Sequence, residues 1–272
     1  MIDVTLVILC GDSGTLLWPL FRTCFPKQFL CLTGKKSLFQ QAALRLANLG
    51  NLDIKAAFPI VINGEYHLFL ALEQLRENGV ELGCVLLGPA GRNTALALTL
   101  AALAAMDGSA DPGLVVTLAD QTVVNALAFT IAMRQVAGEA ANGTIVILGV
   151  TPDKPETSYG YIQINQAEAN AGAYAVRWLV EKSDAATAQA YLNEGRYFWN
   201  AGMVVLKASA WINALEQFRT SIVQATQDAW GKRSSGAQFV RPCRAVFAAV
   251  PSKSVDYAAI KHFPKTPTVM LR

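Results

Sequence analysis

An apolar run, Thr5-Leu6-Val7-Ile8-Leu9-Cys10, opens directly into Gly11-Asp12-Ser13-Gly14-Thr15, and Pro26-Lys27 follows a dozen residues later. A buried strand that ends in small residues lets backbone N–H groups approach a phosphate chain without obstruction by Cβ atoms. A lysine reaching the same edge neutralises that charge. The spacing is not that of a P-loop, which needs Lys after the second Gly where Thr15-Leu16 stand. Nor is it the dinucleotide fingerprint, which needs a third Gly at a fixed offset after Gly11 and Ser13. Taken alone, the same letters also describe a tight strand-to-helix turn that binds nothing.

Further along, Gly88-Pro89-Ala90-Gly91-Arg92-Asn93-Thr94 leads from an apolar run into a helical pattern. Asn93 or Thr94 there either caps the helix or, for Asn93, meets a purine edge. Leu118-Ala119-Asp120-Gln121 ends another apolar run. A carboxylate at that point is a natural Mg²⁺ ligand, since hard divalent ions bridge one or two acidic groups and substrate phosphates; the competing reading is a helix N-cap. Glu181 and Lys182 follow Arg177-Trp178-Leu179-Val180. Strand neighbours point to opposite faces, so one could address a sugar hydroxyl and the other a phosphate, unless both are plain surface. Trp199-Asn200-Ala201-Gly202-Met203 offers an amide that reads hydroxyls beside a glycine that permits close approach, or else an ordinary turn.

The elements that must carry these residues are visible as alternation. Residues 4–10, 59–63, 83–87, 113–118 and 144–149 read as strands, and 36–49, 65–79, 93–107 and 126–141 as helices. That order predicts a parallel sheet covered by helices on both faces, with ligands at the carboxyl ends of the strands. From about residue 151 the pattern changes to strands at 159–164 and 173–180, a helix at 185–193, a strand near 203–206 and a helix at 209–230. This second half reads as an insertion built on the same sheet.

Bulk properties narrow the function classes. A chain of 272 residues with 53% hydrophobic content is long enough for one large core. Charged residues make up 16%, below the typical value of about 25%, which hints at a contact with a second copy. A net charge of +3 without a basic stripe argues against nucleic acid. No apolar stretch reaches the ~18 to 20 residues a membrane span needs, and Met1-Ile2-Asp3 lacks the basic start of a signal peptide. Five cysteines without a Cys-x-x-Cys pair read as reduced thiols of a cytoplasmic protein; with only His67 and His262, a zinc site is not expected.

The order and spacing of the motifs carry more than any one of them. Gly11 to Leu20 with its Trp18-Pro19-Leu20 ending, Pro26-Lys27-Gln28-Phe29-Leu30, Gly91-Arg92-Asn93-Thr94-Ala95, Ala119-Asp120, Glu156 to Ile162, Val180-Glu181-Lys182 and Trp199 to Met203 closely resemble the mannose-1-phosphate guanylyltransferases. The likeness runs from residue 4 to about 262, and the Trp-Pro-Leu and Pro-Lys-Gln-Phe pieces separate that family from other sugar nucleotidyltransferases. It implies a Rossmann-like three-layer α/β/α sandwich of nucleotidyltransferase type around a mostly parallel, mixed central sheet. One nucleotidyltransferase domain would then span 1–272, with a nucleotide-binding half to about 150 and a sugar-binding half at about 151–262. It also implies GTP, mannose 1-phosphate and GDP-mannose as substrates and product, with Mg²⁺ as the metal.

Carried over position by position, Gly11, Ser13, Gly14 and Thr15 would hold the triphosphate, with Arg92 and Asn93 on the nucleotide and Asn93 facing guanine. Lys27 would contact phosphate oxygens, Asp120 would hold the metal and Lys182 would grip the sugar phosphate. Glu181 and Asn200 would bind the mannose, and Tyr159, Gly160 and Tyr161 would wall its pocket.

The departures from the family pattern are specific. Asp12 stands where that family has a second Gly, and Leu16 where it has Arg. The latter change removes a charge-assisted phosphate contact worth ~1.5 to 3 kcal/mol, and Asp12 adds a like charge. Gln121 replaces a His, Ser183 a Pro and Ala201 a Ser. Members continue past Ser254-Val255-Asp256-Tyr257-Ala258 into a segment with a second metal carboxylate, whereas this sequence closes with Thr266 to Arg272; isomerase activity, found in longer relatives, is not expected of it. Two readings follow: a guanylyltransferase, favoured by Lys27, Asp120, Glu181, Lys182 and Asn200, and a catalytically impaired binder of a sugar nucleotide, favoured by Asp12 and Leu16. A nicotinamide-dependent oxidoreductase ranks behind both for want of the third Gly and the ribose-binding acid.

Overall fold

The apolar opening forms β1 (Ile2–Leu9), and its pleat sorts the molecule into layers. Because successive strand side chains point to opposite faces, Val4, Leu6, Ile8 and the following Cys10 enter one core, while Val7 and Leu9 enter the other. On the first side lie α1 (Leu38–Ala47), α2 (Leu68–Glu77) and α4 (Ala126–Ala141); on the second lie α3 (Thr94–Ala105) and α6 (Ala208–Gly231). The computed structural model describes residues 1–10, 25–88, 94–108, 110–170, 173–248, 255 and 267–271.

The remaining strands are β2 (Ile54–Gly64), β3 (Cys84–Gly88), β4 (Gly113–Leu118), β5 (Val146–Val150), β6 (Tyr161–Asn170), β7 (Ala173–Val180) and β8 (Tyr197–Lys207), with the short β9 (Ser234–Ser235), β10 (Phe239–Arg241) and β11 (Pro267–Leu271). All join one sheet in the order β5-β11-β7-β6-β8-β4-β1-β2-β3-β10-β9, with β5 also pairing β8. β3, β2, β1 and β4 are parallel neighbours. β8 runs antiparallel to both β4 and β5, so β1 to β5 share one direction and β8 opposes them. The two helical layers are what the alternation predicts, and the mostly parallel, mixed central sheet between them is what the resemblance implies.

α3 shows how a helix is buried on every side. Ala95, Leu96, Leu98, Leu100, Ala101 and Ala102 are all shut off from solvent, as an all-round apolar sequence requires. Its one buried hydroxyl, Thr99, donates to the Ala95 carbonyl at 2.8 Å and accepts from Trp211 Nε1 of α6 at 3.0 Å, so the polar group is satisfied where the two helices meet.

Several boundaries differ from expectation. The helix predicted over 65–79 splits into a 3-10 turn, Glu65–His67, and α2. The strand predicted from 159 starts at Tyr161, and the one predicted at 203–206 extends over 197–207. β9, β10 and β11 are additions, each two to five residues long; β10 and β11 are held by distant pairings, and β9 by its neighbour β10. α5 (Ala185–Glu194) starts on an N-cap, Asp184, whose side chain accepts from the Thr187 N–H at 2.8 Å, and stops at Gly195 in the left-handed conformation. No helix among the described residues is long and apolar enough to cross a membrane.

Candidate active site

Lys27 begins a 3-10 turn, Lys27–Phe29. Two buried glutamines fix this turn. Gln28 Nε2 donates to the Cys10 carbonyl at 3.0 Å, and Gln74 Nε2, from α2, donates to the Phe29 carbonyl at 3.1 Å. Gln74 Oε1 in turn accepts from Ser37 Oγ at 2.6 Å, and Ser37 is the N-cap of α1, closed by a capping box with Gln40. The turn is thus tied to the first strand and to two helices. Nothing in the sequence pattern reveals this, since Gln28 adjoins Lys27 and Gln74 adjoins Glu73, so neither glutamine stands out.

Asp120 lies on the other side of the same gap. Pairing of β4 with β1 continues one residue further, through Ala119 N–H to the Leu9 carbonyl at 3.0 Å, so Asp120 emerges at the carboxyl rim. There its Oδ2 stands 2.7 Å from Lys27 Nζ, both side chains about a quarter exposed. Burial pushes the Cys10 thiol far above its ordinary value, and the negative charge of Asp120 pushes it further, which fits a carboxylate close to the end of β1. Cys10 is therefore an inert, protonated core residue.

The sugar-side residues line up by register. Tyr161 on β6 pairs with Val180 on β7 and with Trp199 on β8. Because these strands are antiparallel, one step outward from that row reaches Gly160, Glu181 and Asn200 together. The Asn200 N–H donates to the Gly160 carbonyl at 2.8 Å, and a Cβ on Gly160 would sit 3.2 Å from the Val180 carbonyl oxygen, so this row is closely packed. Glu181 and Lys182 are exposed, and Tyr159 is half exposed with its ring edge-on to Trp199 at 5.4 Å. Tyr161 departs from expectation: it is fully buried, and its hydroxyl donates to the Glu156 carbonyl at 2.8 Å, so it supports the row rather than walling a pocket.

β8 joins the two groups. Its ladder with β4 ends at the Val116–Val204 pair; beyond it Gln121 Nε2 donates to the Ala201 carbonyl, which ties the turn carrying Asp120 to the residue next to Asn200. The segment 199–203 is strand rather than turn, interrupted by Gly202 at φ +65°, whose N–H is held by Asn200 Oδ1 at 2.9 Å. Asn200 thus uses its side-chain oxygen to brace the kink. A Cβ on Gly202 would lie 3.1 Å from Leu118 Cδ1, two residues before Asp120. Gly202→Ala is expected to lower unfolding stability by about 1–2 kcal/mol from the left-handed backbone alone. Urea titration checks this; an unchanged midpoint would show that the kink tolerates a side chain.

The structure therefore brings Lys27 and Asp120 into contact and sets Gly160, Glu181, Lys182 and Asn200 on the adjoining stretch of the same rim. Gly11, Ser13, Gly14, Thr15, Arg92 and Asn93, with Asp12 and Leu16, lie outside the described residues. Among the described residues no group of three or more His, Cys, Asp or Glu could hold a metal unaided. Asp120 is nonetheless a hard oxygen donor, partly exposed on the carboxyl rim. That fits an ion such as Mg²⁺, which is bound through one or two carboxylates plus substrate phosphates rather than in an all-protein cage.

Comparison with known proteins gives a consistent picture. The model of the family described as Nucleotidyl transferase matches residues 5–243. The chain is similar to the xanthan biosynthesis protein XanB of Xanthomonas campestris pv. campestris (strain B100), with 44% identity over 96% of this chain and 54% of that protein. It is also similar to the mannose-1-phosphate guanylyltransferase RfbM of Salmonella typhimurium (strain LT2), with 41% identity over 94% of this chain and 53% of that protein. The chain spans about half the length of the curated relatives it matches. Among solved structures, one titled mannose-1-phosphate geranyltransferase, from Thermus thermophilus, superposes with a TM-score of 0.84 at 28% identity, over all of this chain and 75% of that one. Another, titled mannose-6-phosphate isomerase from Helicobacter pylori, superposes with a TM-score of 0.82 at 26% identity, over 99% and 97% of the two chains.

Proposed function

Because the chain belongs to the nucleotidyl transferase family, we propose that it forms GDP-mannose and pyrophosphate from GTP and mannose 1-phosphate. The observation that carries this reading is the Lys27–Asp120 pair on the carboxyl rim, tied by the Gln121–Ala201 hydrogen bond to the strand that brings Asn200 into a row with Gly160 and Glu181. A cation and an acid stand beside a row of hydrogen-bonding groups, which is the equipment that joining a phosphate chain to a sugar requires. The names of the guanylyltransferase relatives support the substrates, and the name of the Xanthomonas protein supports use of the product in polysaccharide synthesis.

In the reaction, an oxygen of the sugar phosphate attacks the α-phosphorus of GTP in line, the bond to the β-phosphate oxygen breaks, and pyrophosphate leaves with that electron pair. No covalent intermediate with the protein is needed, so its contribution is alignment and charge compensation. Lys27 neutralises phosphate oxygens and Lys182 holds the sugar phosphate. Glu181 and Asn200 orient the sugar, and Tyr159 and Gly160 bound its pocket. Gly11, Ser13, Gly14, Thr15, Arg92 and Asn93 are proposed for the nucleotide on their sequence match. Asp120 would hold Mg²⁺, which when bound withdraws charge from the phosphates. The segment to about residue 150 supplies the nucleotide side of one unit and about 151–262 the sugar side.

Release of pyrophosphate from GTP and mannose 1-phosphate in the presence of Mg²⁺ tests the proposal. No release, together with calorimetric binding of GDP-mannose, would overturn it in favour of a non-catalytic binder. A related expectation concerns the two departures in the first loop. Leu16→Arg combined with Asp12→Gly restores a phosphate contact worth ~1.5 to 3 kcal/mol, so kcat/KM for GTP should rise at least about tenfold. If the double variant gains nothing, those substitutions do not limit the reaction.

A further inference from the structure

Arg45 sits in the last turn of α1 with only 8% of its surface exposed. Its guanidinium lies over the Phe129 ring of α4, 5.1 Å from the centroid. Nη1 donates to the Gln121 carbonyl at 3.3 Å, while Nε and Nη2 are buried with no acceptor among the described residues. Burial lowers its pKa to about 10. An apolar residue of similar length would fill this place more favourably, since a buried charge with orphaned donors is costly and replacement by a hydrophobe is often neutral or stabilising. Packing alone therefore gives no reason for a guanidinium here.

Among the described residues, the hydrogen bond that Arg45 makes falls on the residue after Asp120. The side chain of that same residue, Gln121, donates through Nε2 to the Ala201 carbonyl of β8, next to Asn200. The turn carrying Asp120 is thus pinned from the helical layer by Arg45 and from the sheet by Gln121. We propose that Arg45 is a positioning residue that acts through the Gln121 carbonyl to hold the Asp120 carboxylate in register with Lys27 and with an incoming divalent metal. The inference rests on the reading of Asp120 as the metal carboxylate.

Calorimetric titration of GDP-mannose with and without Mg²⁺, together with thermal unfolding, tests it on Arg45→Met, Arg45→Lys and Asp120→Asn. The ratio of the two dissociation constants measures how strongly the metal and the sugar nucleotide are coupled. Arg45→Met should shrink that ratio about fivefold or more while unfolding no earlier than the parent. Arg45→Lys, which keeps a single donor for the carbonyl, should come within about threefold of the parent ratio. Arg45→Met that fails to fold or melts markedly earlier makes the role structural and overturns the inference, as does Arg45→Lys that behaves no better than Arg45→Met. If Asp120→Asn abolishes the coupling and Arg45→Met leaves it intact, the inference falls alone. If Asp120→Asn leaves the coupling intact, the underlying reading falls and takes the inference with it.

Discussion

Asp120→Asn should lower kcat by about a thousandfold while leaving the fold in place. Asparagine keeps the volume of the side chain and an oxygen acceptor but removes the negative charge that both Lys27 and a divalent ion require. Loss of metal-assisted charge stabilisation amounts to several kcal/mol in the transition state, and each ~1.4 kcal/mol is a factor of ten in rate. The stability effect should be small, because the Lys27–Asp120 pair is partly exposed and such pairs contribute about 0–1 kcal/mol. The two measurements therefore separate: turnover collapses while the urea midpoint barely moves. A variant retaining turnover within tenfold of the parent would remove Asp120 from the chemistry.

Lys27→Met should cost about a hundredfold or more in kcat/KM for GTP, with a smaller effect on the KM for mannose 1-phosphate. The ammonium stands at the start of a turn fixed by Gln28 and Gln74, so its direction toward the rim is built into the backbone rather than left to a mobile side chain. Charge-assisted contacts to phosphate are among the strongest hydrogen bonds a protein makes, and in a partly enclosed site their loss falls on the transition state. Lys27→Arg should recover little, because a planar fork cannot replace a compact ammonium held 2.7 Å from a carboxylate. Equal losses toward both substrates, or full recovery by arginine, would contradict the assignment of Lys27 to the triphosphate side.

How far the sequence reveals this arrangement depends on the range of the interactions involved. The five parallel-direction strands and their helices are legible because burial on both faces leaves near-continuous apolar runs, as in Leu6 to Cys10 and Leu114 to Leu118. β7 is legible to the residue, at Ala173–Val180, because an Ala/Asn/Gly-rich stretch precedes it and charged Glu181-Lys182 follows it in the sequence. β9, β10 and β11 are not, since two to five residues carry no usable period and their existence depends on partners such as β3, β5 and β7. The kink in β8 hides that strand in the same way. Gly202 breaks the alternation, and only its approach to Leu118 explains why a glycine is there.

The site divides along similar lines. Lys27, Asp120, Glu181, Lys182 and Asn200 stand out because charged or amide groups follow apolar runs. That Lys27 and Asp120 meet, 93 positions apart, follows only from the pairing of β1 with β4 and from the glutamine anchors. The supporting layer of Gln28, Gln74 and Arg45 is harder to read, since its members act by what they touch. Arg45 does leave a trace: it shares the buried face of α1 with Leu38, Ala42 and Leu46, where helical spacing leaves no reason for a charge.

The decisive measurement is a crystal structure with GDP-mannose and Mg²⁺ bound. The account predicts the ion on Asp120, phosphate oxygens against Lys27 and Lys182, and the hexose against Gly160, Glu181 and Asn200. A sugar nucleotide bound away from this rim, or bound here with no ion on Asp120 and no phosphate oxygen against Lys27, would contradict it.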